Sequence, residues 1–253
     1  MQEYLLFSLL GLTAIVLFSN FVGQNTSEDV TNVVSIILSS FVMLLSVIMV
    51  SKYGLTGNHG KAWLLFMVFS AYWFCAESVN VFYELVLEKQ PWGYADDFFY
   101  ITGYPLFFAS LLFYLRPFVK QISKKILFGV SIIGIATLIP SIMIVLQNYD
   151  ALNGNLIILL SYPILDSLLI IPALVGVFLF FRGQVNFLVS LIFLGIISHT
   201  ISDNSILFLT IQGAYYPGHL VEVLFLWTYT MLAFGLWKQI RLFAENSEKD
   251  VFT

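Results

Sequence analysis

Eight apolar stretches, each long enough to cross a hydrocarbon core, are spaced so that threading them back and forth leaves ten of the eleven Lys and Arg on one side. A helix rises about 1.5 Å per residue, and roughly 20 mainly apolar residues span a bilayer. The stretches fall near 4–22, 31–51, 62–86, 97–117, 124–147, 155–181, 185–211 and 219–243. Charged residues make up 10% of the chain, against about a quarter in soluble domains. The sequence therefore predicts an all-α fold: a polytopic transmembrane helical bundle of eight spans. It forms one integral membrane domain over residues 1–253, with 246–253 a short cytoplasmic tail.

Threading groups Lys52 and Lys61, then Arg116, Lys120, Lys124 and Lys125, then Arg182, and finally Lys238, Arg241 and Lys249, leaving Lys89 alone on the opposite side. That side holds Glu28, Asp29, Glu84, Glu88, Asp96, Asp97 and Asp150. The positive-inside rule then gives an N-in, C-in multi-pass protein of the cell membrane. The first stretch is expected to stay as a helix, because Met1-Gln-Glu lacks a basic residue and no A-x-A site follows Leu5 to Phe21. A net charge of −4, with the basic residues spread over small loops, excludes a nucleic-acid partner and leaves the lipid bilayer as the first one. The single cysteine, Cys75, excludes a disulfide within the chain.

The halves resemble each other. Asp97-Phe-Phe-Tyr-Ile-Thr-Gly-Tyr104 matches Glu222-Val-Leu-Phe-Leu-Trp-Thr-Tyr229, and Glu77-Ser78 matches Asp203-Asn204, in each case four spans apart. A 4+4 parallel internal repeat is expected, with halves 1–122 and 123–245 and any site near their interface.

An Asp or Lys at the centre of a spanning helix costs about 2.5–3.5 kcal/mol on insertion scales, so each such residue demands a reason. Glu77, Asp166, Asp203 and Glu222 qualify, and His199 and His219 join them with no Lys or Arg among them. His199 and Asp203 stack at i, i+4; His219 and Glu222 share a face at i, i+3. Helical rise puts all of these near the centre or in the outer half, at the level where Asp96 and Asp97 open span four. The expectation is one outward-facing acidic cavity, with tyrosines such as Tyr104 and Tyr162 on its walls. Tyr162-Pro163 and Pro172 flank Asp166 with irregular backbone, which is tolerated at depth where it faces protein or a cavity. The plainer expectation is that the carboxylates only fasten helices through interhelical hydrogen bonds. A metal is the sharper one: His199, Asp203, His219 and Glu222 offer two nitrogens and two oxygens, a set zinc accepts, although neither H-E-x-x-H nor a Cys pair accompanies them.

Three chemistries are set aside. A retinal Schiff base needs a buried lysine, anion transport wants buried positive charge, and Ser198-His199 with Asp203 lacks a nucleophile elbow.

Three motifs carry a resemblance: Asp97-Phe-Phe-Tyr-Ile-Thr-Gly-Tyr-Pro-Leu106, Ser161-Tyr-Pro-Ile-Leu-Asp-Ser-Leu-Leu169, and Ser202-Asp203 with Tyr216-Pro-Gly218 and Val221-Glu-Val-Leu-Phe-Leu-Trp227. Over residues 90–240 the chain resembles the polytopic sensory module that precedes diguanylate cyclase or histidine kinase domains, here stand-alone. The resemblance implies that Asp97, Tyr104, Pro105, Tyr162, Asp166, Asp203 and Glu222 belong to a shared binding core. Glu222 stands where that family carries Asp. Around Ser202-Asp203 the chain is also similar to lysoplasmalogenase-like membrane hydrolases, but it lacks their paired Gly-Asp motif.

The leading expectation is a non-enzymatic sensory protein that binds a small ligand or lipid through Glu77, Asp97, Tyr104, Tyr162, Asp166, His199, Asp203 and Glu222. About a dozen residues remain after the eighth span, so a separate signalling or membrane-complex subunit is expected to receive the signal. An intramembrane hydrolase using carboxylates, with or without a metal cofactor, and a structural subunit of a membrane complex are the alternatives.

Overall fold

The structure is a computed structural model that describes residues 2–88, 95–148, 154–180 and 184–251. Lys89, Asp150 and Arg182, which entered the charge distribution, lie outside the described residues. Eight helices are long and apolar enough to cross a membrane, and no strand occurs among the described residues. They are α1 (Gln2–Val22), α2 (Gln24–Tyr53), α3 (Gly57–Val81), α4 (Ala95–Leu115), α5 (Lys124–Asn148), α6 (Gly154–Phe180), α7 (Gln184–Ile211) and α8 (Val223–Val251). Large apolar side chains stand outward, with Phe7, Phe18 and Phe128 each about 70% exposed. A water-facing surface rarely tolerates such patches. This is a multi-pass membrane protein.

Six helices close a ring, in which each neighbour pair packs together: α2 on α3, α3 on α4, α4 on α6, α6 on α7, α7 on α8, and α8 back on α2. The remaining two sit outside, α1 against α2 and α8, and α5 against α6 and α7. Apolar burial drives little between helices in lipid, so close approach by small residues and interhelical hydrogen bonds must hold them. Both devices are present. Thr228 Oγ1 donates to the Gly195 carbonyl at 3.1 Å where α8 crosses α7. Ser46 and Ser70 pair at 2.8 Å between α2 and α3, and Trp227 Nε1 donates to Thr13 Oγ1 at 3.1 Å, pinning α1 to α8.

The two ends differ. At one end, Lys61 lies over the Phe113 ring, Arg241 over the Trp237 ring, and Gln239 donates to Tyr53 at 2.8 Å. The ring interior there is filled: Phe69 stacks on Phe107 with centroids 4.0 Å apart, and Phe180 stacks on Phe193 at 6.0 Å. Each aromatic pair adds about 0.5–1.5 kcal/mol beyond its burial. The opposite, acidic end is open, so the ring is a cup closed at its basic end.

Two features of the acidic end differ from the sequence expectation. The stretch 24–30, expected as a connection, is the first two turns of α2, with only Gly23 between α1 and α2. α3 ends in a wide π turn, Phe82–Val86, closed by Leu87 N donating to the Phe82 carbonyl at 3.2 Å. This turn brings Glu84 round toward α2, where Asn32 Nδ2 donates to it at 2.8 Å.

The α7–α8 connection folds back over the α1–α2 corner. Asn20 Nδ2 and Ser27 Oγ donate to the Gly218 carbonyl at 2.8 and 2.7 Å, and Tyr216 donates to Asn20 Oδ1 at 2.6 Å. Gly218 has φ +80°, and a Cβ there would lie 2.3 Å from the Glu28 backbone nitrogen. Gly218→Ala should therefore destabilise by roughly 2 kcal/mol or more, lowering the melting midpoint of the detergent-solubilised protein by several degrees. An unchanged midpoint would mean that the loop does not rest on this corner.

Candidate functional site

Helix geometry alone sets the deepest part of the site. His199 and Asp203 are one turn apart on α7, so Nε2 lies 3.2 Å from the Asp203 carboxylate. Tyr104 of α4 points its hydroxyl between them and Asp166 of α6: 2.6 Å to Asp203 Oδ2, 3.0 Å to Asp166 Oδ1 and 3.1 Å to His199 Nε2. A phenol has one proton to give. Three partners around it make the cluster a shared-proton unit rather than three independent bonds. Both Tyr104 and Asp166 are 1% exposed.

The cluster is supported from behind. Trp73 of α3 packs against the imidazole of His199 with centroids 4.4 Å apart, and Phe225 of α8 stands 5.1 Å from it. Asn204 reaches toward Asp166 Oδ2 at 3.5 Å while its own carbonyl accepts from Ser141 of α5. Prolines follow two of the tyrosines, Pro105 after Tyr104 and Pro163 after Tyr162, both inside helices. A helical proline removes one backbone hydrogen bond, and each of these directly follows a tyrosine that lines the cavity.

Above the cluster the ring encloses a cavity of about 200 Å³. Glu77, Asp97, Tyr104, Tyr162, His199, Asp203 and Glu222, seven of the eight residues expected from the sequence, line it. Asp166 lies behind the lining, bonded to Tyr104. Tyrosines hold the wall carboxylates. Tyr229 of α8 donates to Glu77 of α3 at 2.6 Å, and Tyr162 of α6 donates to Asp97 of α4 at 2.5 Å. Glu222 accepts from Tyr215 at 2.7 Å and from the Gly218 amide at 2.9 Å. In the loop above, burial and the Glu222 carboxylate push the Tyr215 phenol well above its ordinary range, which keeps it a donor.

The four residues expected as one metal set are divided by the fold. His199 and Asp203 join Asp166, with ligand atoms of all three within 4.8 Å of one another. His219 does not reach them, because it precedes a 3-10 turn (Leu220–Glu222) instead of starting a regular helix. Its Nδ1 accepts from the Val221 amide at 3.2 Å and its ring lies edge-on to Tyr216. Burial lowers its pKa, in keeping with an unprotonated Nδ1 as acceptor. Glu222 folds back on Gly218 at the cavity mouth.

Sequence reasoning missed several lining residues. Glu84 lies seven residues beyond Glu77, the two-turn spacing that would have placed it on the same face. Tyr229 was not missed: it is one of the tyrosines expected on the walls and the repeat partner of Tyr104. Asn32, a lone amide in an apolar stretch, gave no further signal.

No family model matches this chain, and neither a curated protein nor a solved structure matches it.

The bonds rank in strength. Tyr104→Phe strands Asp166 in a dry setting and should cost about 1–3 kcal/mol. A double-mutant cycle of Tyr229→Phe with Glu77→Ala should return a coupling of about 0.6–1.7 kcal/mol, the range of membrane interhelical bonds. Reversible unfolding in detergent measures both, and zero coupling would refute the α3–α8 bond.

Proposed function

We propose that this is a non-enzymatic membrane sensor that captures a small solute in the acidic cavity and passes a helix displacement to the basic end. The observation that carries this reading is convergence: side chains from α3, α4, α6, α7 and α8 meet on one cavity that is open at one end and plugged with aromatic rings at the other. Carboxylates inside a membrane by default mark a ligand or ion path. The likeness to the sensory modules of diguanylate cyclases and histidine kinases points the same way.

The proposed orientation is N-in and C-in, with the cavity facing out of the cell membrane, because the basic residues gather at the closed end. A separate signalling or complex subunit would read the segments around Lys52 to Lys61 and Arg116 to Lys125 and the end of α8. The proposed 4+4 duplication draws support from the ring order 2-3-4-6-7-8, which a half-turn maps onto itself, and from crossed bonds. Tyr104 of α4 donates to Asp203 of α7 as Tyr229 of α8 donates to Glu77 of α3, both at 2.6 Å. The outer helices depart from that symmetry, since α5 leans on α7 where the half-turn would set it on α4.

Full-length protein in lipid nanodiscs tests the sensor. Across a panel of small amines, carboxylates, sugars and amino acids, at least one solute should raise the melting midpoint of the wild type but not of Ile206→Trp, which fills the cavity. The same solute should change amide exchange over 116–125. Identical responses of the two proteins to every solute would end the proposal.

A second reading has one observation in its favour, the Asp166, His199 and Asp203 trio. With Tyr104 swung aside or serving as a fourth ligand, it is a set zinc accepts, and a metal-bound water there would support hydrolysis. Elemental analysis after zinc loading should then find one zinc, lost in Asp203→Asn. Zinc-free protein would dismiss this reading.

A further inference from the structure

Glu77, Glu84, Asp96, Asp97, Asp203 and Glu222 line a single space of about 200 Å³, and among the described residues neither Lys nor Arg lines it. Five of the six have an oxygen fixed by the side chain of a tyrosine or an asparagine. Asp96 is the exception. It is 6% exposed, it lines the cavity, and apart from amides of its own helix start it is unheld: among the described residues its Oδ1 has no hydrogen-bond partner. A buried acceptor left unpaired costs about 1–3 kcal/mol, and an unpaired buried charge costs more. A donor arriving in the cavity would remove that cost.

We propose that the cavity receives a small organic cation, an ammonium group on a short carbon frame, bound by Asp96 and Glu77 among the aromatic rings of the wall. The inference rests on the ligand-binding reading above and names its ligand class. An anion finds neither Lys nor Arg among the described lining residues to pair with. A bare divalent metal needs several oxygens converging at about 2.0–2.6 Å, yet the one trio of His and carboxylate ligand atoms that converges among the described residues excludes Asp96 and already surrounds the Tyr104 hydroxyl. An ammonium ion spreads its charge over a larger surface and tolerates carboxylates set further apart. It also gains from aromatic faces within about 6 Å, and Tyr100, Phe225 and Tyr229 line the same space. Size sets the frame. At about 30 Å³ per water the cavity holds the volume of roughly seven, below the ~300 Å³ at which sites for drug-sized molecules begin.

The test uses full-length protein in zwitterionic nanodiscs, titrated calorimetrically and by melting midpoint. The probes are butylammonium and tetramethylammonium, with 1-butanol and butyrate as neutral and anionic counterparts and Ca²⁺ and Zn²⁺ as inorganic cations. The ammonium probes should raise the wild-type midpoint saturably. Asp96→Asn should weaken their apparent affinity at least tenfold, and Asp29→Asn, an exposed acid, should leave it unchanged. Glu77→Gln, whose amide oxygen still accepts from Tyr229, should weaken it as well and stands in if Asp96→Asn does not fold. The proposal is overturned by an absent ammonium response, by a response that survives both substitutions, or by an Asp96-dependent response to Ca²⁺ or Zn²⁺. Saturable binding of butanol or butyrate that Ile206→Trp abolishes overturns the cation and keeps the ligand-binding reading. If no probe separates the wild type from Ile206→Trp, both fall.

Discussion

A carboxylate inside hydrocarbon has no water to lean on, and every other feature of this protein follows from how it meets that constraint. The answer is tyrosine. Tyr104, Tyr162 and Tyr229 each donate to an acid on another helix, at 2.5–2.6 Å for their shortest bonds. Hydrogen bonds to a charged acceptor are about twice as strong as neutral ones, and each of these crosses a helix boundary. The ring of α2, α3, α4, α6, α7 and α8 is therefore stitched at mid-depth and above by the same groups that make its interior acidic.

That double use explains the division of the interior. Toward the basic end the ring buries no acid among the described residues and fills with stacked aromatics, Phe69 on Phe107 and Phe180 on Phe193. Toward the acidic end, acids and tyrosines of opposite walls stand apart at a length set by their bonds, and the space between them stays open. The floor of the cup is the Tyr104 cluster backed by Trp73. The tyrosine–acid bonds fix the separation of α3 from α8 and of α4 from α6 and α7, and in the proposed sensor they are the contacts on which a captured solute would press.

The spans were legible because length and apolarity act locally: a twenty-residue stretch with no partner for its backbone in lipid must be helical. Most of the acids that line the cavity were legible for a related reason, since an acid at depth is too costly to be incidental. The i, i+4 stacking of His199 on Asp203 came directly from helix pitch. What failed was local in appearance only. His219 and Glu222 looked like one helical face, but the tight turn of 220–222 sends the imidazole to the Val221 amide and the carboxylate to the Gly218 amide. Residues 24–30 read as a polar connection, yet Ser27 and Asn20 are committed to Gly218, 191 and 198 positions away.

The sequence by itself determined that eight helices cross a membrane, which residues cannot face lipid, and that the two halves carry matching acids and tyrosines, because hydropathy, helix pitch and the cost of buried charge depend only on neighbours along the chain. Only the tertiary structure decided which tyrosine serves which acid, that Asp166 joins His199 and Asp203 from behind the cavity lining, and that Asp96 keeps an oxygen without a partner among the described residues. Those outcomes depend on which helices become neighbours in the ring, and pairing across helices is a property of packing that periodicity along one helix does not contain.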